Sequence, residues 1–291
     1  MRLKGTLRGR RFAHYSLLKI PSYLHLQPGW RKSIKLGRWI VAGLYSFIFY
    51  LYNRPMAIVL AVANQKGGCG KTTISMNIAG CLGRGNYRVL LIDADPQGSA
   101  MQWRNNQEQS QLPFEVALFP FSTLHQEVVQ RFVPMKYDVI LIDCPPGATT
   151  PQDRRADITR SALLCSHAVL MPVRPTPLDY QASRMLLPLL QDVSFGRGGK
   201  SLDVYLVING KPPARTRLGM EAQEAAKQVF AAEGITVQVL KTEICTRQSF
   251  AEAPLYGKVV VDFDPDSKAA TEIEELTREF MACLNTKSVA V

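Results

Sequence analysis

The stretch Ile58-Val59-Leu60-Ala61-Val62-Ala63-Asn64-Gln65-Lys66-Gly67-Gly68-Cys69-Gly70-Lys71-Thr72-Thr73 organises the reading of this 291-residue chain. Its first six residues are apolar and rich in β-branched side chains, the pattern of a strand buried on both faces. A glycine-rich turn follows, after which Ile74, Ile78, Ala79 and Leu82 recur at helical spacing. A strand, a glycine-rich turn and a helix that opens with Lys-Thr make a P-loop. Gly67, Gly68 and Gly70 let consecutive backbone N–H groups point into one concavity that holds anionic phosphates. Cys69 and Thr73 lie in the same run, where Cys69 supplies only backbone. The start of the helix near Lys71 adds positive potential. Lys71 is placed to reach the β- and γ-phosphates as a point charge, and the Thr72 hydroxyl to ligate Mg²⁺. The usual spacing is GxxxxGK[ST]; here Gln65 replaces the first glycine.

Outward from this loop, further apolar runs read as buried strands: Arg88–Asp93, Tyr137–Asp143, Ala168–Val173, Val204–Asn209 and Thr236–Leu240. Helical patterns lie between them, clearest at 178–191, 218–233 and 267–284. Strands alternating with helices imply an α/β fold, a mostly parallel twisted sheet with helices on both faces. Two strands end in acids. Asp93 and Asp95 sit in Ile92-Asp93-Ala94-Asp95-Pro96-Gln97-Gly98, and Asp143 precedes Cys144-Pro145-Pro146-Gly147. The C-terminal edge of a parallel sheet is where α/β proteins bind ligands. Two acids on one turn are also what a helix cap looks like, so that alternative stays open for Asp93 and Asp95.

Composition divides the chain. Residues 1–55 hold 11 Lys and Arg and no Asp or Glu, whereas residues 56–291 hold 24 of each sign. The formal charge of +11 therefore belongs to the first segment, and the body is not a basic nucleic-acid binder by charge alone. Within that segment Trp39–Tyr52 carries no charge, but its 14 residues fall short of the roughly 18–20 that span a bilayer. Three readings of 1–55 compete: a membrane-anchoring tail, a disordered basic arm, or residues outside the native protein, with translation starting at Met56. The third is preferred, because the first strand begins right after Met56 and the charge balance changes there. The six cysteines form no CxxC pair, which argues against a disulfide framework or a zinc site and for a cytoplasmic protein with reduced thiols.

With Lys66 the loop reads KGGxGKTT, and the body resembles the deviant Walker A ATPases, the ParA partition proteins, MinD and their relatives. The stretch from Asp93 to Gln97 resembles that family's DxDPQ, and Asp143-Cys144-Pro145-Pro146-Gly147 resembles its Walker B acid and second switch. Pro172–Asp179, Glu252-Ala253-Pro254 with Gly257-Lys258, and Asp264–Ala270 resemble the ParA branch, in its short class without an N-terminal helix-turn-helix domain. The resemblance implies an ATPase that uses ATP and Mg²⁺. Lys66 would reach across an ATP-bound homodimer to the partner's nucleotide. Asp95 would position the attacking water, with Asp93 in support. Asp143 would hold the Mg²⁺ shell through water, and Asn209 would read adenine. It further implies nonspecific DNA binding, with Arg215, Arg217, Arg247 and Lys211 as candidates, and a centromere-binding ParB-like partner protein in plasmid or chromosome segregation on the nucleoid.

Three alternatives accompany this reading. A ParA-like ATPase that positions a protein cargo shares all of the chemistry. A MinD-like membrane role calls for a basic amphipathic last helix, yet here Glu272, Glu274, Glu275 and Glu279 face only Lys268 and Arg278, so membrane binding is not expected. Electron transfer of the nitrogenase iron-protein kind needs cluster cysteines, and none lies between Asp95 and Asp143.

Overall fold

The computed structural model describes residues 57–106, 112–147, 153–200, 202–213, 220–230 and 236–288. The expectations for residues 1–55, for Arg215 and for Arg217 lie outside these residues. Seven strands form one sheet: β1 (Ile58–Val62), β2 (Val89–Asp93), β3 (Glu115–Leu118), β4 (Val139–Asp143), β5 (Ala168–Val173), β6 (Asp203–Lys211) and β7 (Val237–Cys245). Their order is β3-β2-β4-β1-β5-β6-β7, and every pairing is parallel. The expected parallel sheet is therefore present, with one strand more than the sequence patterns indicate. That strand, β3, is a four-residue edge strand in which only Val116 is fully buried. So short a run, half turned to solvent, carries no apolar signature.

The central strands alternate their side chains between two layers, as the period of 2 requires. On one face Leu60, Val62, Leu91 and Leu141 meet Ile74, Ile78 and Leu82 of α1 (Lys71–Arg84). The same layer receives Ile273, Leu276 and Phe280 of α10 (Lys268–Ser288), all wholly buried. On the other face Ala61, Ile92, Ile140 and Ile142 meet Ile158 and Leu163 of α4 (Arg155–Cys165), with helices α5 (Pro177–Arg184) and α6 (Leu187–Gly196) beside it. Each wholly buried aliphatic side chain contributes about 1.5–3 kcal/mol relative to exposure. The helix expected over 178–191 is in fact two helices. The chain leaves α5 at Met185, and Pro188 stands at the start of α6, a first-turn position where a missing N–H costs nothing. The remaining helices are α2 (Ser99–Asn105), α3 (Leu124–Glu127), α7 (Ala222–Phe230), α8 (Gln248–Glu252) and α9 (Val260–Phe263).

Candidate functional site

The loop after β1 is held in shape before any ligand arrives. Asn64 is 2% exposed; its Nδ2 donates to Pro172 O at 2.7 Å and to Ser183 Oγ at 2.8 Å, and its Oδ1 accepts from Lys66 N at 3.0 Å. The start of the loop is thus stapled to the end of β5 and to α5. At the other end Asn209 Nδ2 donates to Cys69 O at 2.6 Å. A Cβ on Gly70 would stand 2.2 Å from that same Nδ2, and Gly70 has φ +92°, so both sterics and backbone demand glycine there. Gln65, which departs from the usual glycine, joins the loop to the segment after β4. Gly147 N donates to Gln65 O at 2.9 Å, and a Cβ on Gly147 would fall 1.9 Å from Gln65 Oε1.

Lys71 is buried, and its Nζ lies 3.2 Å from Lys66 O, turned across the mouth of the loop. Lys66 itself is exposed and is not among the residues that line the cleft. The two lysines of the motif therefore differ in burial. Behind the loop Thr72 Oγ1 donates to Asp143 Oδ2 at 2.7 Å. Ser75 Oγ lies 3.1 Å from Asp143 Oδ1 and 2.9 Å from Lys71 O. Burial pushes the Asp143 carboxyl up to about 7; the Thr72 bond opposes that rise and the charge of Asp93 adds to it. A hydroxyl and a carboxylate in contact are hard oxygen donors, suited to Mg²⁺, which P-loop proteins hold with few protein groups plus phosphate and water. The donor set fits that ion. When bound it would neutralise phosphate charge, and Thr72 and Asp143 are the residues that would hold it.

Asp93 is wholly buried and faces the backbone: its Oδ1 accepts from Asp95 N at 3.2 Å and its Oδ2 from Met101 N at 3.0 Å. It anchors the Asp95 turn and caps the start of α2. Burial raises its carboxyl above the ordinary range, against those backbone bonds. Asp95 is half-buried, accepts from Gln97 N at 3.0 Å, and lines the same cleft as Lys71. That cleft encloses about 710 Å³, within the about 300–1,000 Å³ typical of ligand pockets. It runs from Asp95 and Pro146 past the loop to Asn209, Thr246 and Phe250. Cys69 is buried and burial raises its thiol, with Lys71 opposing, so it is neither exposed nor thiolate-like.

Sequence reasoning did not find Asn64, Ser75 or the Gln65–Gly147 contact. Their only signal was proximity to the glycines. Two candidate cations are engaged: Arg247 Nη2 donates to Glu272 Oε1 at 2.6 Å, and Lys211 pairs with Glu243. Arg247 lines the same cleft, with its charge offset by an acid of α10.

The profile of the CobQ/CobB/MinD/ParA nucleotide binding domain matches residues 60–261. The chain belongs to this ParA/MinD family. It is 31% identical over 270 residues to the sporulation initiation inhibitor protein Soj of Bacillus subtilis, an alignment that covers 78% of this chain and 99% of Soj. It is 33% identical over 230 residues to the maintenance of carboxysome distribution protein A of Halothiobacillus neapolitanus, covering 77% of this chain and 96% of the relative. Among solved structures, apo McdA of Cyanothece superposes with a TM-score of 0.61 at 14% identity, over 77% of this chain and 99% of that one. That likeness speaks to fold alone. The sequence relatives make the chain a ParA-type ATPase.

Proposed function

We propose that this ParA-type protein hydrolyses ATP to ADP and phosphate with Mg²⁺, and that ATP joins two copies into a sandwich dimer that binds DNA nonspecifically. A centromere-binding partner would stimulate hydrolysis, so that the cycle of binding and release moves a plasmid or chromosome. The supporting observation is the contrast between Lys71, buried and turned over its own loop, and Lys66, exposed and outside the lining of the cleft. A second lysine that does not bend into its own cradle is available to a nucleotide on a facing subunit, as a charge supplied in trans. Asp95, at the other end of the cleft, positions the water that attacks the γ-phosphorus as the bond to the β–γ bridging oxygen breaks. Asn209 commits its Nδ2 to Cys69 O, which leaves Oδ1 to accept from the exocyclic amine of adenine.

Arg215 and Arg217 remain DNA candidates by resemblance, whereas Arg247 and Lys211 already have acidic partners. Doubling a weak basic patch by dimerisation raises affinity for a duplex steeply. The same chemistry can position a protein cargo, a second reading favoured by the carboxysome-distribution relative. A MinD-like membrane role has less support, because Ile273, Leu276 and Phe280 of α10 are spent on the core. Light scattering on eluted protein tests the central claim. Lys71→Ala abolishes nucleotide binding; Lys66→Ala keeps it and loses the ATP-dependent dimer. A Lys66→Ala protein that still dimerises with ATP removes the trans role.

A further inference from the structure

The order of strands sets an order along the cleft. Asp95 follows β2 and Pro146 follows β4, on one side of the phosphate loop that follows β1. Arg174 follows β5, Asn209 and Gly210 end β6, and Thr246 follows β7, all on the other side. Neighbouring strands are about 4.8 Å apart. The first side can therefore serve the terminal phosphate and water, while the second is where the rest of a nucleotide must lie.

Three cations line this cleft among the described residues: Lys71, Arg174 and Arg247. Lys71 is turned over the loop and Arg247 is paired with Glu272. Arg174 is exposed and takes part in no side-chain hydrogen bond or ion pair among the described residues. Its stem lies along Gly210: Cγ and Nε stand 3.6 and 3.7 Å from the place a Cβ on Gly210 would occupy, and Thr246 Oγ1 stands 4.0 Å from that same point. Gly210 has φ +70°, so the backbone at that turn stays bare of side chain. Arg174 Nε thus lies beside Gly210, the residue after Asn209, and its charge has no acidic partner among the described residues.

We propose that Arg174 is a nucleoside clamp, its guanidinium plane stacked on the purine that Asn209 approaches edge-on. This rests on the ATP-binding reading of the cleft. A guanidinium suits the task because it is planar and weakly hydrated, and it stacks on aromatic faces as an ammonium does not. A residue that acts on the nucleoside leaves inorganic phosphates alone, and that separates it from a phosphate contact.

The experiment is calorimetric titration of the full chain with ADP and with inorganic pyrophosphate, both in Mg²⁺. The shared diphosphate reports the loop and their difference reports the nucleoside, on single subunits. Arg174→Ala raises the dissociation constant for ADP about 3- to 30-fold, the range expected of a cation–π contact. Pyrophosphate binding stays within about twofold of the unsubstituted chain. Arg174→Lys, which keeps the charge and loses the plane, recovers less than half of that loss on a logarithmic scale. Equal weakening for ADP and pyrophosphate overturns the proposal in favour of a phosphate contact, as does full recovery in Arg174→Lys. Unchanged ADP binding in Arg174→Ala overturns it outright. An unsubstituted chain that binds pyrophosphate and not ADP refutes the clamp while the phosphate loop stands. Failure to bind either one refutes the nucleotide reading, and the clamp with it.

Discussion

Phe280→Ala decides whether the last helix is structural or free for another surface. Phe280 is wholly buried, and its ring meets Tyr205 edge-on, with centroids 5.4 Å apart and planes at 71°. It shares its layer with Ile273 and Leu276 of α10, with Leu60 and Leu141 of the sheet, and with Ile74 of α1. Truncation removes the transfer free energy of the ring and leaves a hole that close-packed neighbours fill only in part. Such substitutions cost about 3–5 kcal/mol, including the aromatic pair. Against a total stability of about 5–15 kcal/mol that is a large fraction. For a body of this size it lowers the melting temperature by about 6–20 °C. The assay is urea denaturation followed by circular dichroism, with Leu255→Ser as control. Leu255 is 69% exposed, so its substitution stays within about 0.5 kcal/mol. A Phe280→Ala cost below about 1 kcal/mol would mean that α10 leaves the body readily. The core assignment would then fall, and a membrane or partner role for that helix would gain ground.

Asp95→Ala keeps nucleotide binding and the ATP-dependent dimer and lowers the hydrolysis rate at least tenfold, read by phosphate release; unchanged turnover removes Asp95 from the mechanism. His167 Nδ1 accepts from Val59 N at 2.9 Å, and burial, with the nearby charge of Arg197, holds its pKa below the usual 6.5. The folded state thus binds fewer protons here than the unfolded state. The contribution is complete above about pH 6.5 and is lost as pH falls below it. Urea midpoints between pH 8 and pH 5 should drop more for the unsubstituted chain than for His167→Gln, which keeps an acceptor and does not titrate. Parallel profiles would refute the assignment.

How much of this was legible before the structure depends on whether a feature is local in the chain. β1, β2, β4, β5 and β6 are continuous apolar runs because both faces of a parallel sheet are covered, and such runs announce themselves. The phosphate loop is equally local, since its glycines and its Lys-Thr lie within ten residues. β3 was missed because an edge strand need not be apolar. The break between α5 and α6 was missed because Pro188 is tolerated in a first turn and leaves the periodicity intact. Arg247 looked like a free basic residue until the fold set Glu272 beside it, 25 positions along the chain. Asn64 was unreadable for the same reason: its partners, Pro172 and Ser183, are 108 and 119 positions away.

These distant contacts have a common consequence. Asp93 holds the start of α2, and the far end of that short helix is tied across the cleft. Trp103 Nε1 donates to Lys258 O at 3.0 Å and Asn106 Nδ2 to Pro254 O at 3.0 Å. Asn77 of α1 closes the circuit by accepting from Val260 N at 2.7 Å. The segment 254–260 is thus bonded both to the helix behind Asp95 and to the helix that begins with Lys71. Phe250 and Pro254, which line the cleft, belong to the chain just before and within it. On the ATP-binding reading, a nucleoside seated against Phe250 and Pro254 would press on the frame that holds α2, the helix after Asp95. Pyrophosphate, which fills only the loop, has no such lever. If this frame transmits binding, ADP should slow amide exchange in α2 more than pyrophosphate does at equal occupancy. Equal protection by the two ligands would mean that α2 senses the phosphates alone and that the ties at Lys258 and Pro254 are static.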